Sequence, residues 1–139
     1  MKESLRENVA SLRAVVTEFE KPFWDSLQKK QLMIQKCPEC GHMQFPPSPV
    51  CCNCLSDKVQ WVPCSGKAKL WSRVAFHKAY LKPYTDIPYS VVLAMLEEGP
   101  IVTGRISPEA AAATPFDGAL RATYAETVDG TVLVEFVPA

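Results

Sequence analysis

Four cysteines carry the clearest chemistry in this 139-residue chain. Cys37-Pro38-Glu39-Cys40 and Cys51-Cys52-Asn53-Cys54 each present two sulfurs from one tight loop, and ten residues separate the pairs. Each pair can supply half of a tetrahedron. Zn2+ favours four such soft ligands at about 2.3 Å, and four cysteines leave no open position for water or substrate. The spacing therefore predicts a closed, structural zinc site at Cys37, Cys40, Cys51 and Cys54, set against iron in a rubredoxin-like site or a redox disulfide. A ribbon this small buries little apolar area, so metal binding has to contribute a large part of its folding free energy. Cys52 and Cys64 are left over, and both are read as free, buried thiols acting as small hydrophobes. His42 follows Cys40-Gly41, but four cysteines already complete a shell, and it is left out.

Little else in the chain could do chemistry. His42 and His77 are the two histidines, there is no phosphate-cradling glycine loop, and the carboxylates show no spacing that suggests an acid/base pair. The residues point away from an enzyme acting alone. With a net charge of zero, no global field draws the chain to nucleic acid or to an anionic membrane. The N-terminal stretch mixes charges with apolar positions, unlike a signal peptide, and no segment approaches the roughly 18 apolar residues of a membrane span. A cytoplasmic protein is expected, and close-spaced cysteine pairs in a reducing compartment read as metal ligands in preference to disulfides.

Elements must position these sulfurs. Leu5, Val9, Leu12, Val16, Phe19, Phe23 and Leu27 recur at helical spacing, interrupted by Pro22, which predicts a first helix ending near Phe19 and a short second one from Pro22. The stripe is expected to pack on its own domain, with docking on another subunit as the alternative. Residues 31–65, rich in Cys, Pro, Gly and Asn, read as the ribbon. From residue 66 onward short β-like runs follow, giving an expected division into a helical segment (1–30), a zinc ribbon (31–65) and a barrel (66–139).

The first barrel strand, 67–76, alternates: Ala68, Leu70, Ser72, Val74 and Phe76 are expected on the core face, with Lys67, Lys69, Trp71, Arg73 and His77 on the wet one. The second, 89–97, is nearly continuously apolar and is expected to be covered on both sides. Glu98-Gly99-Pro100 turns the chain into 101–106. Ser107-Pro108 then offers an N-cap and an N1 proline for a short helix over the alanine run. Strands over 120–128 and 131–137, joined by a type I′ turn at Asp129-Gly130, complete five. Five strands with one helix between the third and fourth predict a mainly β protein, a rubredoxin-like ribbon followed by a five-stranded OB-type barrel.

Phe23-Trp24, Leu32, Gln35-Lys36-Cys37, Cys40-Gly41-His42, Phe45-Pro46-Pro47 and Cys51 to Cys54 together resemble the acyl-CoA-associated zinc-ribbon/OB-fold family, whose members often accompany thiolases. The likeness extends through Ser65-Gly66-Lys67, Pro88-Tyr89, Leu96 to Pro100 and Phe136-Val137-Pro138, covering about residues 22 to 139. Two features depart from the pattern: the helix before Pro22 is longer, and Cys52 stands where proline is common. The resemblance implies a non-catalytic subunit in a hetero-oligomer with a thiolase-fold enzyme that carries the nucleophile, sharing an acyl-CoA substrate. Thiolytic or retro-aldol C–C cleavage, or acyl condensation, is the implied chemistry.

Two surfaces could serve that role. Lys67, Lys69, Trp71 and Arg73 could meet the phosphates and adenine of coenzyme A by charge and stacking, although a solvated basic face is the plainer reading. The loop from Leu81 to Pro88, rigid between two prolines, could dock a partner. Two rival functions remain open: an OB-fold nucleic-acid-binding module, which zero net charge disfavours, and a zinc-ribbon redox protein using Cys52, Cys64 or the metal.

Overall fold

The structure, a computed structural model, describes residues 16–78, 87–126 and 130–139. Its elements in order are helix α1 (Lys21–Gln28), strands β1 (Met33–Lys36), β2 (Met43–Gln44), β3 (Gln60–Pro63), β4 (Lys67–Phe76), β5 (Tyr89–Leu96) and β6 (Ile101–Ile106), helix α2 (Pro108–Ala113), and strands β7 (Ala119–Glu126) and β8 (Val132–Pro138). None of its helices is long and apolar enough to cross a membrane. The expected first helix, most of the 81–88 loop and Asp129 lie outside the described residues.

The expected proline start of the second helix holds: Pro22 sits in the first turn of α1, where its missing N–H costs nothing. Phe23 and Leu27 are buried on the face that packs against β1 and β8, whereas Val16 and Phe19, ahead of the helix, are exposed. Strands β2-β1-β3 form a small antiparallel sheet, and β4-β5-β6-β8-β7 close into a barrel with a single parallel pairing between β6 and β8. This is the anticipated five-stranded barrel. Helix α2 falls between its third and fourth strands, capped by the Ser107 hydroxyl, which accepts from the Ala110 N–H. One continuous apolar core runs from Phe23, Leu27, Leu32 and Ile34 into Leu70, Val92, Leu120 and Phe136.

Two expectations about faces need correction. Along β4, alternation holds only to Leu70. Trp71 is an extra residue in the ladder with β5, since Leu70 pairs with Ala94 and Ser72 with Leu93. A one-residue bulge reverses the faces downstream. Arg73 accordingly pairs with fully buried Val92, while Val74 pairs with half-buried Val91 and is 49% exposed. On β5, Val92, Ala94 and Leu96 are buried, but Val91, Leu93 and Met95 are only half-buried, so one face of the strand is incompletely covered.

Candidate metal centre

Two loops of one design bring the sulfurs together. In the first, at the end of the β1–β2 hairpin, the Gly41 N–H donates to the Cys37 carbonyl (2.8 Å) and the Cys37 N–H to the His42 carbonyl (2.8 Å). In the second, the Leu55 N–H donates to the Cys51 carbonyl (2.9 Å) and the Cys51 N–H to the Ser56 carbonyl (2.8 Å). The residue after the second cysteine is left-handed in both loops, with φ +77° at Gly41 and +65° at Leu55. One cysteine of each pair, Cys37 and Cys51, is buried, and Cys40 and Cys54 face outward.

The four sulfurs all lie within 4.8 Å of one another, with Cys37–Cys54 at 3.5 Å and Cys40–Cys51 at 3.6 Å. A tetrahedron with metal–sulfur bonds of about 2.3 Å has edges of about 3.8 Å, so the donor set fits a zinc shell. N–H groups already point at sulfur: the Asn53 backbone at Cys51 (3.4 Å) and its side-chain amide at Cys40 (3.6 Å). Such bonds orient and stabilise thiolate ligands. The Asn53 amide, then the His42 backbone, lowers the Cys40 thiol to about 6. Cys54 moves the other way, to about 12, because the Ser56 N–H that lowers it is outweighed by the Cys37 thiol, burial and the remaining sulfurs. Four clustered thiols cannot all ionise unless a cation shares the site, which is what a divalent metal supplies.

Cys52 corrects one expectation. It is exposed, not buried, and its sulfur stands apart from the cluster that its loop neighbours Cys51 and Cys54 join. Its sulfur lies 3.2 Å from Nε2 of His42, which is itself outside the four-sulfur cluster as expected. Cys64 is buried as read from the sequence, and burial, with the Glu98 charge, pushes its thiol up to about 12.

A pair of buried amides, unassigned in the sequence reading, braces the ribbon. Gln44 Nε2 donates to Gln35 Oε1 (2.8 Å) and to the Val50 carbonyl (3.1 Å), and Gln44 Oε1 accepts from the Cys52 N–H (2.8 Å). Gln35 holds Ser48 through both its donor and its acceptor, at 2.9 Å each. The proline segment between the cysteine pairs is thereby tied down from two neighbouring strands. Their placement near the first cysteine loop is visible in the sequence, but their partners are set by the fold.

The ribbon is joined to the barrel by polar contacts as well as core. Leu32 donates its N–H to the Tyr124 hydroxyl (2.8 Å) and accepts from the Cys64 N–H (2.9 Å). Ser65 donates its N–H to Glu98 (2.9 Å) and its hydroxyl to Glu97 (2.8 Å). The residues singled out for coenzyme A are not equivalent. Lys67, Lys69, Trp71 and Arg73 are all exposed on β4, but the Arg73 guanidinium is already engaged: it donates to the Thr114 carbonyl and lies 5.2 Å from the Phe116 ring centroid.

Residues 24–60 match the family described as ChsH2, rubredoxin-like zinc ribbon domain. The chain is 32% identical over 78 residues to a "Probable enoyl-CoA hydratase alpha subunit" of Thermomonospora curvata, covering 55% of this chain and 24% of that protein. It is also 32% identical over 87 residues to a "DUF35 domain-containing scaffold protein" of Pyrococcus furiosus, covering 61% of this chain and 62% of that one. It thus spans less than two thirds of either relative. Among solved structures, the "Ltp2-ChsH2(DUF35) aldolase" shares the fold with a TM-score of 0.81 at 23% identity, covering 91% of this chain and 98% of that one. The ribbon segment thus matches the ChsH2 zinc-ribbon family model, and the longer chain is similar to DUF35 scaffold proteins and shares its fold with the aldolase chain.

Proposed function

We propose that the chain is a non-catalytic subunit that docks on a thiolase-superfamily enzyme and supports its acyl-CoA chemistry. One zinc ion, held by Cys37, Cys40, Cys51 and Cys54, would brace the ribbon. The observation that carries this reading is the fold likeness over nearly the whole aldolase-complex chain, joined to a metal shell with no position left for substrate. The names of the relatives, a scaffold and an alpha subunit, agree with it. The partner then supplies the nucleophile, and C–C cleavage of an acyl-CoA, thiolytic or retro-aldol, is the favoured chemistry, with condensation its reverse.

On this reading the segments 1–30, 31–65 and 66–139 act as a helical arm, a braced ribbon and a barrel platform. The exposed Lys67, Lys69 and Trp71 would meet the phosphates and adenine of a coenzyme A ester at the partner interface. Arg73, bonded to Thr114, would contribute through its charge alone.

The test is a pull-down with the tagged full chain from its native host, followed by reconstitution. The expected result is a stoichiometric thiolase-fold protein that cleaves an acyl-CoA faster with this chain than without it. A chain that stays alone, beside a thiolase fully active without it, would reject the proposal.

A further inference from the structure

The two cysteine loops are built on one hydrogen-bonding plan but differ at the residue that must be left-handed. Glycine occupies it in the first loop, where an added Cβ would meet nothing within 4 Å, so Gly41 serves backbone conformation and not space. The second loop places Leu55 there, at φ +65°. The other non-glycine residues with positive φ among those described are Lys30, just past α1, and Asp117; Leu55 is the apolar one. A branched L side chain is disfavoured in this conformation, and at 74% exposure Leu55 recovers little by packing within the chain. Burial in a complex would remove the exposure, and would give this apolar side chain a use that offsets the backbone cost of holding it at a left-handed position.

We infer that Leu55 is a docking knob that seats in an apolar socket of the partner enzyme. The inference rests on the subunit reading above. The surroundings of Leu55 say what kind of socket fits. Asn53 is polar, and Lys58 is neutralised by Glu39 across the two loops at 3.2 Å. Exposed Asp57 leaves the rim slightly acidic. An apolar centre inside a polar rim is the pattern of a protein–protein anchor. Anionic lipid or nucleic acid would require unpaired positive charge, which this rim lacks. The complementary socket is apolar with a polar or basic edge. Because the loop is held by its own hydrogen bonds and metal shell, docking freezes little besides the leucine itself.

The experiment uses the full chain and the purified partner recovered in the pull-down. Leu55→Gly and Leu55→Asn both remove the knob, and both residues tolerate a left-handed backbone. Each variant should keep one zinc per chain and a thermal midpoint at or above that of the wild type, while Kd for the partner weakens by about tenfold or more. Unchanged affinity would overturn the inference, and so would zinc loss or a lowered midpoint in both variants, since Leu55 would then stabilise the ribbon itself. Wild-type self-association abolished by both variants would place the socket on a second copy and overturn the partner assignment. Failure of the wild type to bind the partner refutes the subunit reading itself, and the knob with it; normal wild-type binding with unaffected variants refutes the knob alone.

Discussion

Replacing Gln44 by methionine keeps the length of a 6% exposed side chain and deletes its amide. Three hydrogen bonds go with it: those to Gln35 Oε1, to the Val50 carbonyl and from the Cys52 N–H. Gln35 Oε1 retains the Ser48 N–H, Cys52 is exposed, and Val50 is only half-buried, so water can replace the amide at the two backbone groups and none of the three is stranded. Each bond then counts near its net value of about 1 kcal/mol, for a total of about 3 kcal/mol. The loss falls on the segment that carries Cys51 and Cys54, so its opening should become more frequent by on the order of a hundredfold, at 1.4 kcal/mol per tenfold. Zinc release to excess chromogenic chelator reads that opening directly. The thermal midpoint should fall by roughly 6–12 °C. Release within about threefold of the wild type, with an unshifted midpoint, would refute the claim that the buried amides brace the metal loops.

Other perturbations test the remaining links. Cys54→Ala should abolish tight zinc binding, speed hydrogen exchange in the ribbon more than in the barrel, and weaken partner binding; an intact complex of normal affinity would contradict the scaffold role. Cys64 has an ordinary thiol pKa of 9.0 that rises to about 12 in the fold, so the folded state holds its proton through that window while the unfolded state loses it. Stability should therefore be level with respect to this group below pH 9 and fall as pH climbs from 9 to 12, a slope that Cys64→Ala should reduce in alkaline melts. Tyr124, also raised by burial, leaves a residual slope above pH 10. Gly104→Ala would place a methyl 2.6 Å from two ring atoms of Phe136, itself 1% exposed, and should lower stability by about 1–3 kcal/mol in urea titrations; an unchanged midpoint would show that the ring can move aside.

The four-cysteine cluster was legible in the sequence because its chemistry is local: two Cys-x-x-Cys loops offer four sulfurs almost regardless of what surrounds them. All five barrel strands, and the Ser107-capped helix, were readable for a similar reason, since hydrophobic alternation and turn residues act over a few positions. The bulge at Trp71 was not. One extra residue in β4 is defined by pairing with β5, a strand separated from it in the chain, and only that pairing moves Arg73 and Val74 to faces their spacing does not suggest. Cys52 was misplaced because composition favours burying a thiol, while the geometry of its loop turns it out. The amide bonds of Gln35 and Gln44 were likewise invisible, because a glutamine has no intrinsic partner until the fold supplies one. What the sequence determined by itself was which four cysteines cluster and the order ribbon then barrel, through short-range spacing. Which side chains share a face, which carboxylates grip Ser65, and that Leu55 stands strained and exposed were decided by tertiary structure, because each depends on contacts or backbone angles that only long-range packing sets.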